Sequence, residues 1–89
     1  MDSGYYNEIG IAKENLGNLQ GALINYNKAI EANYPKEEKY IYYYNRGYIF
    51  EELGDYESAC KDYKVAATLG DEETIEWLNT KDGEWCKEM

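Results

Sequence analysis

The sequence repeats itself at a fixed offset. Residues 6–33, moved forward by 37 positions, fall on residues 43–70, and Tyr6/Tyr43, Gly10/Gly47, Glu14/Glu51, Leu16/Leu53, Gly17/Gly54, Ala22/Ala59, Tyr26/Tyr63 and Ala29/Ala66 are identical. A period of this size marks helical hairpins stacked on one another, since one hairpin alone cannot bury its apolar face. The expected fold is therefore all-α: antiparallel helix-turn-helix units stacked as a short α-solenoid of about five helices.

The helices can be placed from apolar spacing and stop signals. Tyr5, Ile9, Ala12 and Leu16 draw one stripe that Gly17 ends. Asn18 then caps a second helix bearing Leu19, Ala22, Leu23, Tyr26, Ala29 and Ile30. So short a turn forces the pair to lie antiparallel. A third helix is expected from about Pro35 to Leu53, with Tyr40, Tyr43, Gly47, Phe50 and Leu53 inward and Glu37 and Glu38 at its positive end. Gly54 stops it, Asp55 caps a fourth helix, and Tyr56, Ala59, Cys60, Tyr63, Ala66 and Ala67 repeat the earlier stripe up to Gly70. Asp71 opens a fifth helix carrying Ile75, Trp77 and Leu78, and Lys81-Asp82-Gly83 breaks it before a short tail. With no linker in view, 1–89 reads as a single domain: one repeat over 3–33, another over 35–70, and a cap with its tail over 71–89.

Charge narrows the partners. Eighteen acidic residues against 9 basic ones leave a net charge of −9, which repels polyanions and excludes nucleic acid as a natural partner. No apolar run approaches membrane-spanning length. Met1-Asp2-Ser3-Gly4-Tyr5 has no basic stretch followed by an apolar one, so no secretory signal is read and a cytoplasmic location is expected. Catalysis is not expected, since the chain has no histidine, no phosphate-binding glycine loop and no cysteine paired with a base. No cofactor is implied. The two cysteines, Cys60 and Cys86, cannot make a four-ligand zinc site without histidine, and reduced thiols of an intracellular chain are the expectation. The other reading is a bridge. Cys60 corresponds to Leu23 of the first copy, a position that faces the next element, and a folded-back tail would bring Cys86 to it.

The repeated unit resembles the tetratricopeptide repeat. The second copy carries Tyr43, Gly47, Phe50, Leu53-Gly54-Asp55-Tyr56, Ala59, Tyr63 and Ala66; the first carries Tyr6, Ile9, Gly10, Leu16-Gly17-Asn18, Ala22, Tyr26 and Ala29, and departs at Lys13, where the family prefers an aromatic. The resemblance covers about residues 5–70, and 71–89 resembles the extra helix that often caps such arrays. The offset of 37 (Tyr6 to Tyr43) exceeds the family's period of about 34. Sel1-like repeats run nearer that length and are similar over Ala59-Cys60 to Gly70-Asp71, whereas the compact Leu53–Tyr56 turn favours the tetratricopeptide reading. The small residues Gly10, Gly47, Ala22 and Ala59 belong where two helices cross closely, beside Tyr26, Tyr63 and Phe50.

The resemblance implies a non-catalytic module that binds a peptide or protein segment in a concave groove lined by the first helix of each hairpin. Carried over by position, the groove would hold Asn7, Ile11, Glu14 and Asn15 from the first copy. The second would contribute Ile41, Tyr44, Asn45, Tyr48, Glu51 and Glu52. Family members that grip a C-terminal carboxylate use lysine, arginine and asparagine there, and only Asn45 survives, with Arg46 one place off. What remains is acidic and aromatic, suited to a segment bearing lysine or arginine and an apolar anchor. The alternative is self-assembly as a homodimer, through the N-terminal helix, which shows no polar cap, or through the run Tyr40-Ile41-Tyr42-Tyr43-Tyr44.

Overall fold

The computed structural model describes residues 2–32 and 38–89. Among them are six α-helices: α1 (Ser3–Asn15), α2 (Leu19–Ala32), α3 (Lys39–Glu52), α4 (Tyr56–Thr68), α5 (Glu72–Leu78) and α6 (Glu84–Lys87), with a single 3-10 turn over Lys81–Gly83 between the last two. Consecutive helices pack in pairs, α1 on α2 and α3 on α4, and α2 joins the pairs by packing on α3. The thinnest dimension, 16 Å, is that of two helical layers.

Turn chemistry explains the hairpins. Gly17 and Gly54 have φ of 79° and 84°, the left-handed conformation that glycine adopts without strain. At the first turn the Gly17 N–H donates to the Glu14 carbonyl and the Asn18 N–H to that of Lys13, both at 2.9 Å. The second turn repeats this with Gly54 to Glu51 and Asp55 to Phe50. Each closes the helix with a Schellman motif, and the next residue starts the following helix. Asn18 Oδ1 accepts the Gly21 N–H at 2.9 Å, and Asp55 Oδ1 accepts that of Ser58 at 3.1 Å.

Four expectations need correction. α1 does have a polar cap, since Asp2 Oδ1 accepts the Tyr5 N–H at 3.0 Å. The Tyr5–Leu16 stripe does not face the partner helix: Leu16 is 82% exposed and Tyr5 46%. α1 instead packs through Ser3 and Gly10, about a third of a turn away, because the Tyr26 ring lies flush against its backbone. A Cβ on Gly10 would stand 2.5 Å from Tyr26 Cε1, so only glycine admits the ring. In α3 the deepest residues are Tyr42, Gly47 and Ile49 rather than Tyr40, Tyr43, Phe50 and Leu53. A middle helix has two neighbours: Ile49 joins Ala22 and Tyr26 of α2, while Phe50 packs against Ala59, Cys60 and Tyr63 of α4. The expected start at Pro35 falls outside the described residues, and the described helix begins at Lys39. The added residues of the longer period thus lie between Ala32 and Lys39.

The fourth correction concerns the thiols. Cys60 and Cys86 form a disulfide, with Cα atoms 5.3 Å apart. The tail turns back over the stack through the 3-10 turn and α6, and Cys86 becomes fully buried beside Ala59, Cys60 and Tyr63, under Phe50, Trp77, Leu78 and Trp85. The second cluster of the core is therefore completed by the C-terminal segment. The expectation of reduced thiols is therefore replaced by a cross-link that ties the tail to α4.

Candidate functional site

The two copies build one interior face by the same device. Tyr26 Oη donates to Glu14 Oε1 at 2.8 Å, and Tyr63 Oη donates to Glu51 Oε1 at 2.7 Å. In each hairpin a buried ring of the second helix therefore anchors a glutamate of the first, 12 positions back. Burial first, then the partner carboxylate, pushes both phenols well above the ordinary tyrosine range. Tyr42 is pushed up to about 12 by the same causes, with Glu38 as its acceptor.

A raised folded-state pKa means that the neutral phenol stabilises the fold. That contribution is complete below the unfolded value of about 10 and is lost as pH climbs through the folded value. Absorbance titration of the phenolate band should accordingly show a group of tyrosines that ionise only as helicity collapses, above about pH 10. If all eleven ionised together near pH 10 with ellipticity intact, the buried hydrogen bonds would be ruled out.

On the same face, Asn45 Nδ2 donates to Asn7 Oδ1 at 2.9 Å, tying α3 to α1. Tyr44 and Tyr48 are exposed on α3, 44% and 39% respectively. Burial first, then the negative field of Asp71, Glu51, Glu73 and Glu14, raises the Tyr44 pKa. Tyr48 is raised first by its hydrogen bond to Glu52. The expected residues Asn7, Glu14, Tyr44, Asn45, Tyr48, Glu51 and Glu52 thus share one neighbourhood. Of the rest, Ile41 lies further along α3, and Ile11 and Asn15 are exposed on α1.

Two clefts open along α3, and α5 forms their other wall. The larger, of about 500 Å3, is lined by Tyr40, Ile41, Tyr44, Gly70, Asp71, Glu72 and Glu73. The other, of about 360 Å3, is lined by Tyr44, Tyr48, Glu51, Tyr63, Glu73, Thr74 and Trp77. Tyr44 and Glu73 belong to both, so the clefts run into one another as a trough. Four carboxylates and no lysine or arginine line it. Ile11, Glu14, Asn15, Glu52 and the Asn7–Asn45 pair are not among its lining residues. Tyr40, Tyr63, Gly70, Asp71, Glu72, Glu73, Thr74 and Trp77 line it without having been expected as site residues. Asp71 is legible in sequence only as the opening of the fifth helix and Trp77 only as part of its apolar surface.

Arg46, one place from the expected groove residue Asn45, is engaged inside the structure. Its Nε and Nη2 each donate to an Asp62 carboxylate oxygen at 2.8 Å, and Nη1 donates to Asn27 Oδ1 at 3.0 Å. The guanidinium also lies over the rings of Tyr43 and Phe50. One cation thereby joins α2, α3 and α4.

Among the described residues no cluster of three or more acidic, cysteine or histidine side chains could hold a metal ion, and no helix is long and apolar enough to cross a membrane. The tetratricopeptide repeat family matches the sequence twice, over residues 3–35 and 40–71. No curated protein and no solved structure matches the chain.

Proposed function

The chain belongs to the tetratricopeptide-repeat family, whose repeats mediate protein–protein interactions, and on that premise we propose that it binds an extended peptide segment carrying lysine or arginine and an apolar anchor. The segment lies in the α3–α5 trough, and the module does no chemistry of its own. The observation that carries this reading is the lining: Glu51, Asp71, Glu72 and Glu73 interleaved with Tyr40, Tyr44, Tyr48 and Trp77, with no basic side chain among them. Acidic walls favour a basic segment on approach and in register, while tyrosine and tryptophan supply apolar area and ring faces for a cation.

Selection of a random peptide display library on the purified domain tests it. Enriched sequences should place lysine or arginine beside an aromatic or aliphatic residue. Their binding should weaken steeply with salt and drop by about tenfold or more in a Glu72→Lys/Glu73→Lys variant, given several screened charge pairs. Selection of acidic segments, or affinity indifferent to the charge reversal, would overturn the proposal.

Self-association is the second reading, favoured by one observation. The stripe of Tyr5, Ile9, Ala12 and Leu16 expected to pack on α2 is turned largely outward, and a second copy would cover it. The tyrosine-rich helix supports this reading less, since Tyr42 is only 1% exposed and Arg46 and Lys39 cover Tyr43. Light scattering across a concentration series decides it: a monomer at every concentration removes the dimer.

A further inference from the structure

The smaller cleft has a composition that a basic segment alone does not require. Four aromatic rings line it, from three different helices: Tyr44 and Tyr48 of α3, Tyr63 of α4 and Trp77 of α5. The rings are set at angles rather than stacked. Tyr63 and Trp77 stand 5.2 Å apart at 67°, and Tyr44 and Tyr63 stand 5.6 Å apart at 45°. Glu51 and Glu73 lie among them. The chain's own cation–ring pairs, Lys28 on Tyr6, Lys39 on Tyr43 and Arg46 on Tyr43 and Phe50, are elsewhere.

From this arrangement we infer that the Tyr44–Tyr48–Tyr63–Trp77 pocket is an aromatic cage for a quaternary ammonium, specifically a trimethyllysine side chain on the bound segment. The inference deepens the trough reading and rests on it for the peptide context. An unmodified ammonium brings three N–H donors, each of which needs an acceptor once water is excluded. The Tyr63 hydroxyl already donates to Glu51 Oε1 and the Thr74 hydroxyl to Asp71 Oδ2. The acceptors left for an ammonium are therefore chiefly the carboxylates of Glu51 and Glu73, while most of the lining is ring face that accepts none of its N–H donors. A trimethylammonium has no donors to satisfy and is only weakly hydrated. It gains from angled ring faces, of which tryptophan gives the strongest attraction, and from carboxylates that need only be near. The rings are held independently of any ligand, since Tyr63 is fixed by its hydrogen bond to Glu51 and Trp77 by packing on the disulfide cluster.

The probes are Nα-acetyl-trimethyllysine amide, the unmodified lysine amide and the neutral isostere in which carbon replaces the quaternary nitrogen. Binding to the disulfide-bonded protein is followed by amide chemical shifts and tryptophan emission. The trimethyl probe should bind about five- to thirtyfold more tightly than the neutral isostere, the range of a cation over partly to fully desolvated rings. It should also bind more tightly than unmodified lysine. Tyr44→Leu and Tyr48→Leu, at two exposed rings, should each erase the preference with helicity unchanged, and Tyr5→Leu should leave it intact. Equal binding of the neutral isostere, preference for unmodified lysine, or no shifts at saturating probe each overturn the cage. Basic-peptide binding by a domain that ignores the trimethyl probe would sink the cage and leave the trough. Probe binding without any peptide selection would sink the trough and leave the cage.

Discussion

Reducing the Cys60–Cys86 bridge should lower the unfolding free energy by about 3–4 kcal/mol, the loop-closure contribution of a cross-link spanning 26 residues. For a domain of 89 residues that is a large share of a total of about 5–15 kcal/mol. The melting temperature should therefore fall by about 10 °C or more. The loss should begin at one end of the molecule. α5 and α6 make their contacts with α4, with the 3-10 turn and with each other, so without the cross-link the cap is held only by this one-sided packing. Both tryptophans, Trp77 and Trp85, sit in that segment and pack against the Cys60–Cys86 cluster. Their emission should shift to the red on mild reduction while most of the ellipticity of α1–α4 survives. Because α5 is one wall of the trough, peptide binding should disappear with the tryptophan shift. A Cys60→Ala/Cys86→Ala variant should behave as the reduced protein does. A reduced protein that melted within about a degree of the oxidised one would show that the cap is held by packing alone.

Arg46→Ala should cost about 3–5 kcal/mol, because it leaves the Asp62 carboxylate unpaired inside the protein. The Asp62 side chain is only 6% exposed, against 23% for Arg46, so the two deletions should differ. Asp62→Ala should cost less than Arg46→Ala, since the freed guanidinium can still reach water. Arg46→Lys should recover only part of the loss: an ammonium cannot make the paired 2.8 Å contacts of the fork or lie flat on Tyr43 and Phe50. An Arg46→Met/Asp62→Leu double variant should come back close to the parent stability, as replacing a whole buried ion pair by apolar side chains of similar volume often does. Urea unfolding of the set measures this. An Arg46→Ala variant within about 1 kcal/mol of the parent would show that water relieves Asp62 and that the pair is dispensable.

Ile41, Tyr44, Tyr48 and Glu51 were the trough residues legible in sequence, and of these only Glu51 is written twice by the repeat. Glu14 and Glu51 recur with Tyr26 and Tyr63, so their shared neighbourhood follows from position alone, and the structure shows both pairs hydrogen-bonded. The Arg46–Asp62 pair has no such signal. Its counterparts in the first copy are Ile9 and Asn25, an apolar residue and an amide, so nothing in the repeat announces an ion pair. Thr74 and Trp77 were hidden for another reason. They line the trough only because the cap lies beside α3, a placement made by contacts remote in sequence and secured by Cys86.

The sequence by itself determined most of the local structure: that the segments of α1–α5 are helical, although the expected tail also forms the short α6, that Gly17 and Gly54 reverse the chain, that Asn18 and Asp55 restart it, and that small residues meet large rings where helices cross. These follow from interactions within a few residues or one hairpin, where backbone geometry leaves few choices. Only the tertiary structure decided which face of α1 and of α3 turns inward, that α5 rather than α1 completes the trough, and that the two cysteines meet. Helical spacing defines stripes but not neighbours. An end helix such as α1 can turn its apolar stripe to solvent and pack through Ser3 and Gly10, while a middle helix such as α3 must satisfy α2 and α4 at once.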